Sequence, residues 1–295
     1  MVRSIFCIGG CNVPQNKLQY GYNLLLEGVT VLKERVLRGL LCAVLLSGLA
    51  VPAYAEEEPP VVQVTVDGEL AEVEAFLYGG TSYFPLEETI LFLYPEAEIS
   101  CEEGVYTAKT EAFTVTAAKE TFYLVVNGRY LYVPDGIKSR SSDGMALVPA
   151  RVLGKALGLE VGWSGKVEFT TGGKPLSAED VPYTESDLDL IARVITHESG
   201  NQSLQGKMAV GNVILNRVAD GRFPATISEV IYQKNQFPGA TSMEPNAESV
   251  IAAKLVLEGA NVVPDAYWFN GVGKACWASR NKTLLYTIGG HAFYG

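Results

Sequence analysis

The hydrophobic period changes once along this chain, at Thr170-Thr171-Gly172-Gly173-Lys174-Pro175, and that change bounds what the chain can fold into. Before it, from Val61 to about Thr171, apolar and polar residues alternate in short runs broken by Gly and Pro. A period of two puts alternate side chains on one face of a half-buried strand. After it, Leu188, Ile191, Ala192 and Ile195 recur at i, i+3, i+4 and i+7, the stripe of an amphipathic helix. Two glycines and a proline between the regimes end both patterns. The expected fold class is α+β: a mainly-β N-terminal domain over residues 61–171, a linker at 172–182, and a small α+β domain over 183–295, helices first and a short β-sheet last.

The first domain carries a faint internal repeat. Val64-Thr65-Val66-Asp67-Gly68 is matched by Leu124-Val125-Val126-Asn127-Gly128, and Tyr83-Phe84-Pro85-Leu86 by Leu147-Val148-Pro149-Ala150. Asp-Gly and Asn-Gly after an apolar alternation predict hairpin turns. A helical stretch follows the proline in each copy, around residues 87–93 and 151–157. In the second domain Ser186 is the expected N-cap, with Asp187 and Asp189 suited to the positive end of the helix dipole. Apolar residues crowd positions 208–215, which predicts a buried helix. Thr226-x-x-Glu229 has the form of a capping box before Val230 and Ile231. A helix is expected over residues 247–258, after Pro245 and ended by Gly259, and short strands at 266–270, 284–288 and 292–294.

Residues 1–55 read as a signal-peptide region. Lys33, Arg35 and Arg38 precede an apolar run at residues 39–51, and Ala53-Tyr54-Ala55 follows it. A basic flank, a short apolar core and an A-x-A exit describe a secretory signal, and the core is too short for a comfortable membrane span. The expectation is export, with no stable membrane span after cleavage and an extracytoplasmic or secreted location. The signal does not begin at Met1, so residues 1–30 are expected to reflect a misassigned start. Cys42 lies early in the apolar run rather than at its exit, which argues against a lipoprotein anchor. Residues 56–60 form a polar linker.

The net charge is −10, and residues 1–55 contribute +3 of it, so their removal leaves −13. Such a chain is a poor nucleic-acid binder. Acidity selects no substrate by itself. Cys101 and Cys276 fall in different candidate domains and are expected to be unpaired.

The candidate chemistry centres on His197-Glu198-Ser199-Gly200-Asn201. Glu198 ends a helix and faces a polar turn. Burial there would raise its pKa, which suits the proton donor that a glycosidic leaving oxygen needs. A zinc-protease reading fails because H-E-x-x-H requires His at 201, where Asn stands, and His291 is the other histidine of the chain. No metal and no cofactor is expected. A Ser or Cys nucleophile is also disfavoured: G-x-S-x-G is missing, and Cys276 has no convincing partner.

Residues beyond Glu198 carry a resemblance. Ile191-Ala192-Arg193-Val194-Ile195-Thr196-His197-Glu198, Gly206-Lys207-Met208-Ala209-Val210-Gly211-Asn212-Val213-Ile214-Leu215-Asn216-Arg217-Val218, Tyr267-Trp268-Phe269-Asn270 and Ile288-Gly289-Gly290-His291-Ala292-Phe293-Tyr294 resemble the spore cortex-lytic type of cell-wall hydrolase. The resemblance covers residues 187–295. It implies a lysozyme- or transglycosylase-like fold, peptidoglycan as the partner, and Glu198 as the catalytic acid. Glu198-Ser199 is also similar to the Glu-Ser pair of soluble lytic transglycosylases. Members often carry a second Glu four positions on, where this chain has Gln202, which can orient a substrate but cannot act as a base. Candidate substrate contacts are Ser199, Gln202, Asn216, Gln236, Tyr267, Asn270, Trp277 and His291, with a structural role open for most of them. Phe223, Phe237 and Phe293 are expected in the core, and His197 is given no role.

Ordinary glycosidases use two carboxylates. Asp187, Asp189 and Glu229 read as capping residues, so no second catalytic acid emerges. A single-acid lytic transglycosylase is therefore expected, giving 1,6-anhydro-muramic ends. The alternatives are a hydrolytic muramidase or glucosaminidase, and a non-catalytic wall-binding protein. Leu147-Val148-Pro149, Leu153-Gly154-Lys155-Ala156-Leu157-Gly158 and Val161-Gly162-Trp163 resemble the copper amine oxidase N-terminal-like domain. That name implies no copper here, because residues 61–171 hold no His and one Cys. The first domain reads as a spacer or wall-binding module, dispensable for chemistry.

Overall fold

The computed structural model describes residues 59–140 and 144–295. The expected signal region lies outside them. No helix among the described residues is long and apolar enough to cross a membrane.

The strand-rich part runs β1 (Val61–Val62), β2 (Val64–Val66), β3 (Glu69–Leu70), β4 (Ala75–Tyr78), β5 (Thr81–Pro85), α1 (Leu86–Leu93), β6 (Glu98–Glu102), β7 (Val105–Lys109), β8 (Thr114–Ala118), β9 (Tyr123–Val126), β10 (Arg129–Tyr132), β11 (Lys138–Ser139), β12 (Ala146–Pro149), α2 (Ala150–Leu157), β13 (Glu160–Trp163) and β14 (Val167–Thr170). These build a β1-β4-β5-β12-β11 sheet, a β10-β9-β8-β7-β6 meander and a β13-β14-β2-β3 sheet in which β14 and β2 are parallel. The internal repeat is visible in three dimensions. Asp67-Gly68 and Asn127-Gly128 both turn with two successive positive φ values, 52° and 86° against 48° and 80°. That is the tight hairpin geometry for which Asx-Gly is suited. The two strand-Pro-helix units lie side by side, because β5 and β12 pair antiparallel with Val148 opposite Phe84.

The second part is helical first: α3 (Glu185–Ser199), α4 (Leu204–Ala219), the short α5 (Ile227–Ile231), a 3-10 turn at Ala240–Ser242, and α6 (Ala247–Leu257). A three-stranded antiparallel sheet closes the chain, with β15 (Trp268–Gly271), α7 (Trp277–Asn281), β16 (Leu284–Ile288) and β17 (His291–Tyr294) in the order β15-β17-β16. Ile191, Ala192 and Ile195 of α3 are buried, and they pack in one core with Met208, Val210 and Ile214 of α4 and Ala252, Leu255 and Val256 of α6. The cap of α3 differs from the expectation. Thr184 receives the Asp187 amide at 3.1 Å, and the Asp187 carboxylate accepts from the Thr184 hydroxyl at 2.7 Å. Ser186 sits inside the first turn, because a carboxylate three residues after Thr184 completes a reciprocal box that Ser186 cannot. β15 starts two residues late, since Ala266 is held in a turn by Val263 O. α7 was not anticipated: Cys276 caps it with its thiol, an unusual cap that the sequence pattern does not signal.

The breakers at 172–175 end the secondary structure without separating the two parts. Gly173 runs against the left-handed C-cap Gly158 of α2 so closely that a Cβ on either glycine would meet the other segment's backbone. On the β9–β10 hairpin, Leu124, Val126 and Leu131 face the strand-rich core. Tyr123, Tyr130 and Tyr132 point the other way and pack on the helical core. Beside them Arg129 Nε and Nη2 each donate at 2.7 Å to the carboxylate of Glu258, just beyond α6, with the two side chains 7% and 2% exposed. Gln205 donates to Tyr132 Oη at 3.4 Å, and Lys155 Nζ donates to Glu258 O at 3.3 Å. The strand-rich part is thus docked on the helical part, not tethered to it as a spacer would be.

Candidate active site

Glu198 stands in the last turn of α3, where Gly200 ends the helix and Ser203 caps α4. It forms one wall of a cleft of about 600 Å³. Facing it are Trp268, Phe269, Asn270 and Gly271 of β15, His291 of β17, Lys274 and Cys276 from the β15–α7 connection, and Trp277 and Ala278 of α7. Arg217, Gln236 and Phe237 complete the lining. The Glu198 side chain is 24% exposed, and its Oε1 lies 3.2 Å from His197 Nδ1. A carboxyl so placed has one face against the protein and one open to a ligand.

Among the described residues that line the cleft, Glu198 is the one carboxylate. Other acids of the helical part are engaged elsewhere. Glu244 pairs with Arg193 at 3.0 Å, Glu248 pairs with Lys207, and Glu229 accepts from its N-cap Thr226 at 2.9 Å. No three His, Cys, Asp or Glu side chains cluster as a metal site among the described residues.

Of the sequence-derived candidates, the structure brings Gln236, Asn270, Trp277 and His291 into the cleft with Glu198. Trp277 is 59% exposed, with its ring 5.7 Å from that of Trp268, and the two form an aromatic ledge. Four candidates lie outside the lining. Ser199 is fully buried and donates to Ile195 O at 2.9 Å. Gln202 Oε1 accepts from Gly290 N at 2.8 Å, which ties the α3–α4 turn to the β16–β17 hairpin. Asn216 donates to Val263 O and Ala266 O, both at 2.9 Å. Tyr267 stacks on Phe223 with centroids 5.7 Å apart, under the Arg222 guanidinium.

Several lining residues do not stand among the sequence-derived substrate contacts. Phe237 is both core and cleft floor. Trp268 and Phe269 belong to the matched Tyr267–Asn270 segment and to a strand, whose half-burial on both faces hides which side meets the cleft. Lys274 sits in a turn without periodicity. Arg217 is 4% exposed and lies between the Phe223 and Phe237 rings. It donates to Tyr267 O and Gln236 Oε1, both at 2.7 Å, and burial pushes its pKa down to about 10. Burial also holds the His291 imidazole below its ordinary value. The nearby Lys274 ammonium adds to that effect, and Glu198 opposes it. His291 Nδ1 is buried without a hydrogen-bond partner, and its ring stands edge-on to Phe269 at 5.6 Å.

Residues 201–294 match the family model described as Cell Wall Hydrolase, and residues 65–171 match the Copper amine oxidase N-terminal domain. The C-terminal part is a cell wall hydrolase domain, and a copper amine oxidase N-terminal domain precedes it. The spore cortex-lytic enzyme of Oceanobacillus iheyensis is 32% identical over 137 residues, covering 45% of this chain and 50% of that protein. The spore cortex-lytic enzyme of Bacillus cereus is 31% identical over 119 residues, covering 38% and 45%. The chain thus spans about half the length of the curated relatives it matches. Among solved structures, the catalytic domain of the Bacillus cereus SleB protein covers 38% of this chain and 92% of its own length, at 27% identity and a TM-score of 0.36.

Proposed function

We propose that this chain is an exported enzyme that cleaves the glycan strand of peptidoglycan, with Glu198 as its proton donor. The observation that carries this is the solitary carboxylate in an aromatic-edged cleft, within a cell wall hydrolase domain. Glu198 stands three residues before the segment that the family model matches, so its role rests on the cleft geometry and on the resemblance of the preceding helix. The cortex-lytic relatives and the apolar leader support a site of action outside the cytoplasm.

With one acid and no partner carboxylate, the lytic transglycosylase route is favoured over two-carboxylate hydrolysis. Glu198 gives its proton to the glycosidic oxygen as the bond from C1 to that oxygen breaks. The C6 hydroxyl of the same muramyl residue then forms the new bond to C1, and its proton returns to Glu198. No water enters, and an intramolecular nucleophile gains from enforced proximity. Trp268 and Trp277 offer ring faces of the kind that sugar rings pack against.

The test is digestion of isolated sacculi by the full chain, with mass spectrometry of what is released. The expected products end one water lighter than reducing ends, and Glu198→Gln should lower release by roughly 100-fold or more. Reducing ends carrying ¹⁸O from labelled water would mean hydrolysis. Binding without release by both proteins would mean a non-catalytic wall-binding role.

A further inference from the structure

Arg217 is a buried charge that the cleavage chemistry leaves unused. It stands in the last turn of α4, where the negative end of the helix dipole suits a cation. Its guanidinium lies between the Phe223 and Phe237 rings, 5.4 and 5.6 Å from their centroids. Nε donates to Tyr267 O, one residue before β15, and Nη1 donates to Gln236 Oε1, both at 2.7 Å. Exposed arginines of the same part pair with acids, as Arg193 does with Asp189 and Glu244, and Arg222 with Asp220. Arg217 meets two neutral oxygens instead. Burying a cation without a counter-charge is costly, so stability alone does not favour this arrangement.

Its consequence is the orientation of one amide. A guanidinium carries donors only, so the Gln236 side chain must turn its oxygen to Arg217. Flipping the amide would set N–H against N–H and strand a buried donor. The amide nitrogen is left on the far side. Gln236 lines the cleft with Glu198, and its Nε2 has no protein partner among the described residues. The backbone before it is fixed as well: Asn235 takes a left-handed φ of 64°, and Gln236 N donates to Gln233 O at 3.1 Å. Asn270, the other amide of the lining, is committed to its own turn, with Oδ1 accepting from Gly271 N at 2.9 Å.

We propose that Gln236 binds the glycan by donating from Nε2 to an acceptor oxygen of a sugar unit, and that Arg217 is the positioning residue that fixes which end of the amide the substrate meets. This rests on the glycan-cleaving reading above. The group recognised is a carbonyl, ether or hydroxyl oxygen; an ammonium or an amide N–H finds no partner there.

Substitutions at Gln236 separate this from a purely structural bond. Gln236→Glu keeps an acceptor for Arg217 and gives the guanidinium a counter-charge, but removes the donor. Gln236→Met removes both. In urea unfolding of the full chain, Gln236→Glu should raise the midpoint and Gln236→Met should lower it. In binding of soluble glycan strands, measured in the Glu198→Gln background, both should weaken affinity about tenfold, the scale of one hydrogen bond. In cleavage by chains that retain Glu198, both losses should fall mainly on KM, as removal of a ground-state contact requires. Arg217→Lys supplies one point charge in place of a fork that reaches two acceptors. It should weaken binding to a similar degree, and combining it with Gln236→Met should add less than about twofold, because both act through the same amide. The proposal is overturned if Gln236→Glu binds strands within about twofold of the parent, if the two Gln236 variants bind in step with their stabilities, if the losses from Arg217→Lys and Gln236→Met multiply, or if the parent binds no strands. Should the unmodified chain release nothing from sacculi, the cleavage reading fails, while the affinities still decide this one.

Discussion

Replacing Glu258 by Ala leaves the Arg129 guanidinium in the interface between the two parts without its two 2.7 Å acceptors. The site is nearly dry, with side chains 7% and 2% exposed, so the screening that makes surface ion pairs almost worthless does not apply. Removing one member of such a pair costs about 3–5 kcal/mol, most of it the penalty of the charge left behind. For a chain of this size each kcal/mol lowers Tm by roughly 2–4 °C, so a drop on the order of 10 °C is expected. Arg129→Ala should cost a similar amount, because it strands a buried carboxylate. Replacing both at once by Met and Leu should recover most of the loss, since an apolar pair of similar volume pays no desolvation. The bond to Glu258 holds the guanidinium above its ordinary value. A raised cation keeps its full stabilising contribution below the unfolded value and loses it only as pH rises towards the folded one, both far above neutrality, so the Arg129 side adds no pH dependence near neutrality.

The assay is thermal and urea unfolding of the full chain and the three variants, combined as a double-mutant cycle. The reasoning is refuted if both single variants stay within about 1 kcal/mol of the parent and their effects simply add. That result would mean that water enters the interface and that the strand-rich part is tethered rather than docked.

Three further outcomes are expected. His291 is a base whose folded pKa lies below 6.5, so the unfolded chain binds more protons; stability is fully present above that value and declines as pH falls below it, and His291→Phe should flatten the decline between about pH 5 and 7 in urea titrations. Thr184→Ala should cost about 1 kcal/mol by removing the α3 cap while Ser186→Ala costs a few tenths at most, a contrast that denaturant midpoints resolve. Gln202→Ala should cost about 1 kcal/mol through loss of the Gly290 bond and should lower kcat more than it raises KM, because it loosens the hairpin carrying His291 relative to the turn carrying Glu198.

Elements fixed by local chemistry were legible in the sequence. The Asx-Gly hairpins follow from the φ values that only such pairs accept cheaply, and the buried stripe of α3 from its period. The order of helices and sheet in the second part could be read for the same reason. What escaped depends on contacts between distant segments. Nothing local marks Tyr123, Tyr130 and Tyr132 as facing a second core, because an outward-facing tyrosine reads as a solvated one. Nothing local distinguishes Glu258 from any acid at a helix end, since its partner lies 129 residues earlier.

The cleft divides along the same line. Glu198 was legible because a helix end, a polar turn and the match of the surrounding residues agree on it. Ser199, Gln202 and Asn216 share those motifs, but their polar atoms are taken up by Ile195, Gly290, Val263 and Ala266. Residues close to a catalytic acid in sequence are the ones that must hold its helix and its turn in place, so motif membership marks positioning as readily as contact. Lys274, in the β15–α7 connection, and Trp277, at the start of α7, lie more than seventy residues from Glu198 in sequence and share its cleft only through tertiary contact. The groups proposed to meet a substrate therefore lie around the C-terminal sheet, and the group proposed to cut it belongs to the first helix of its domain.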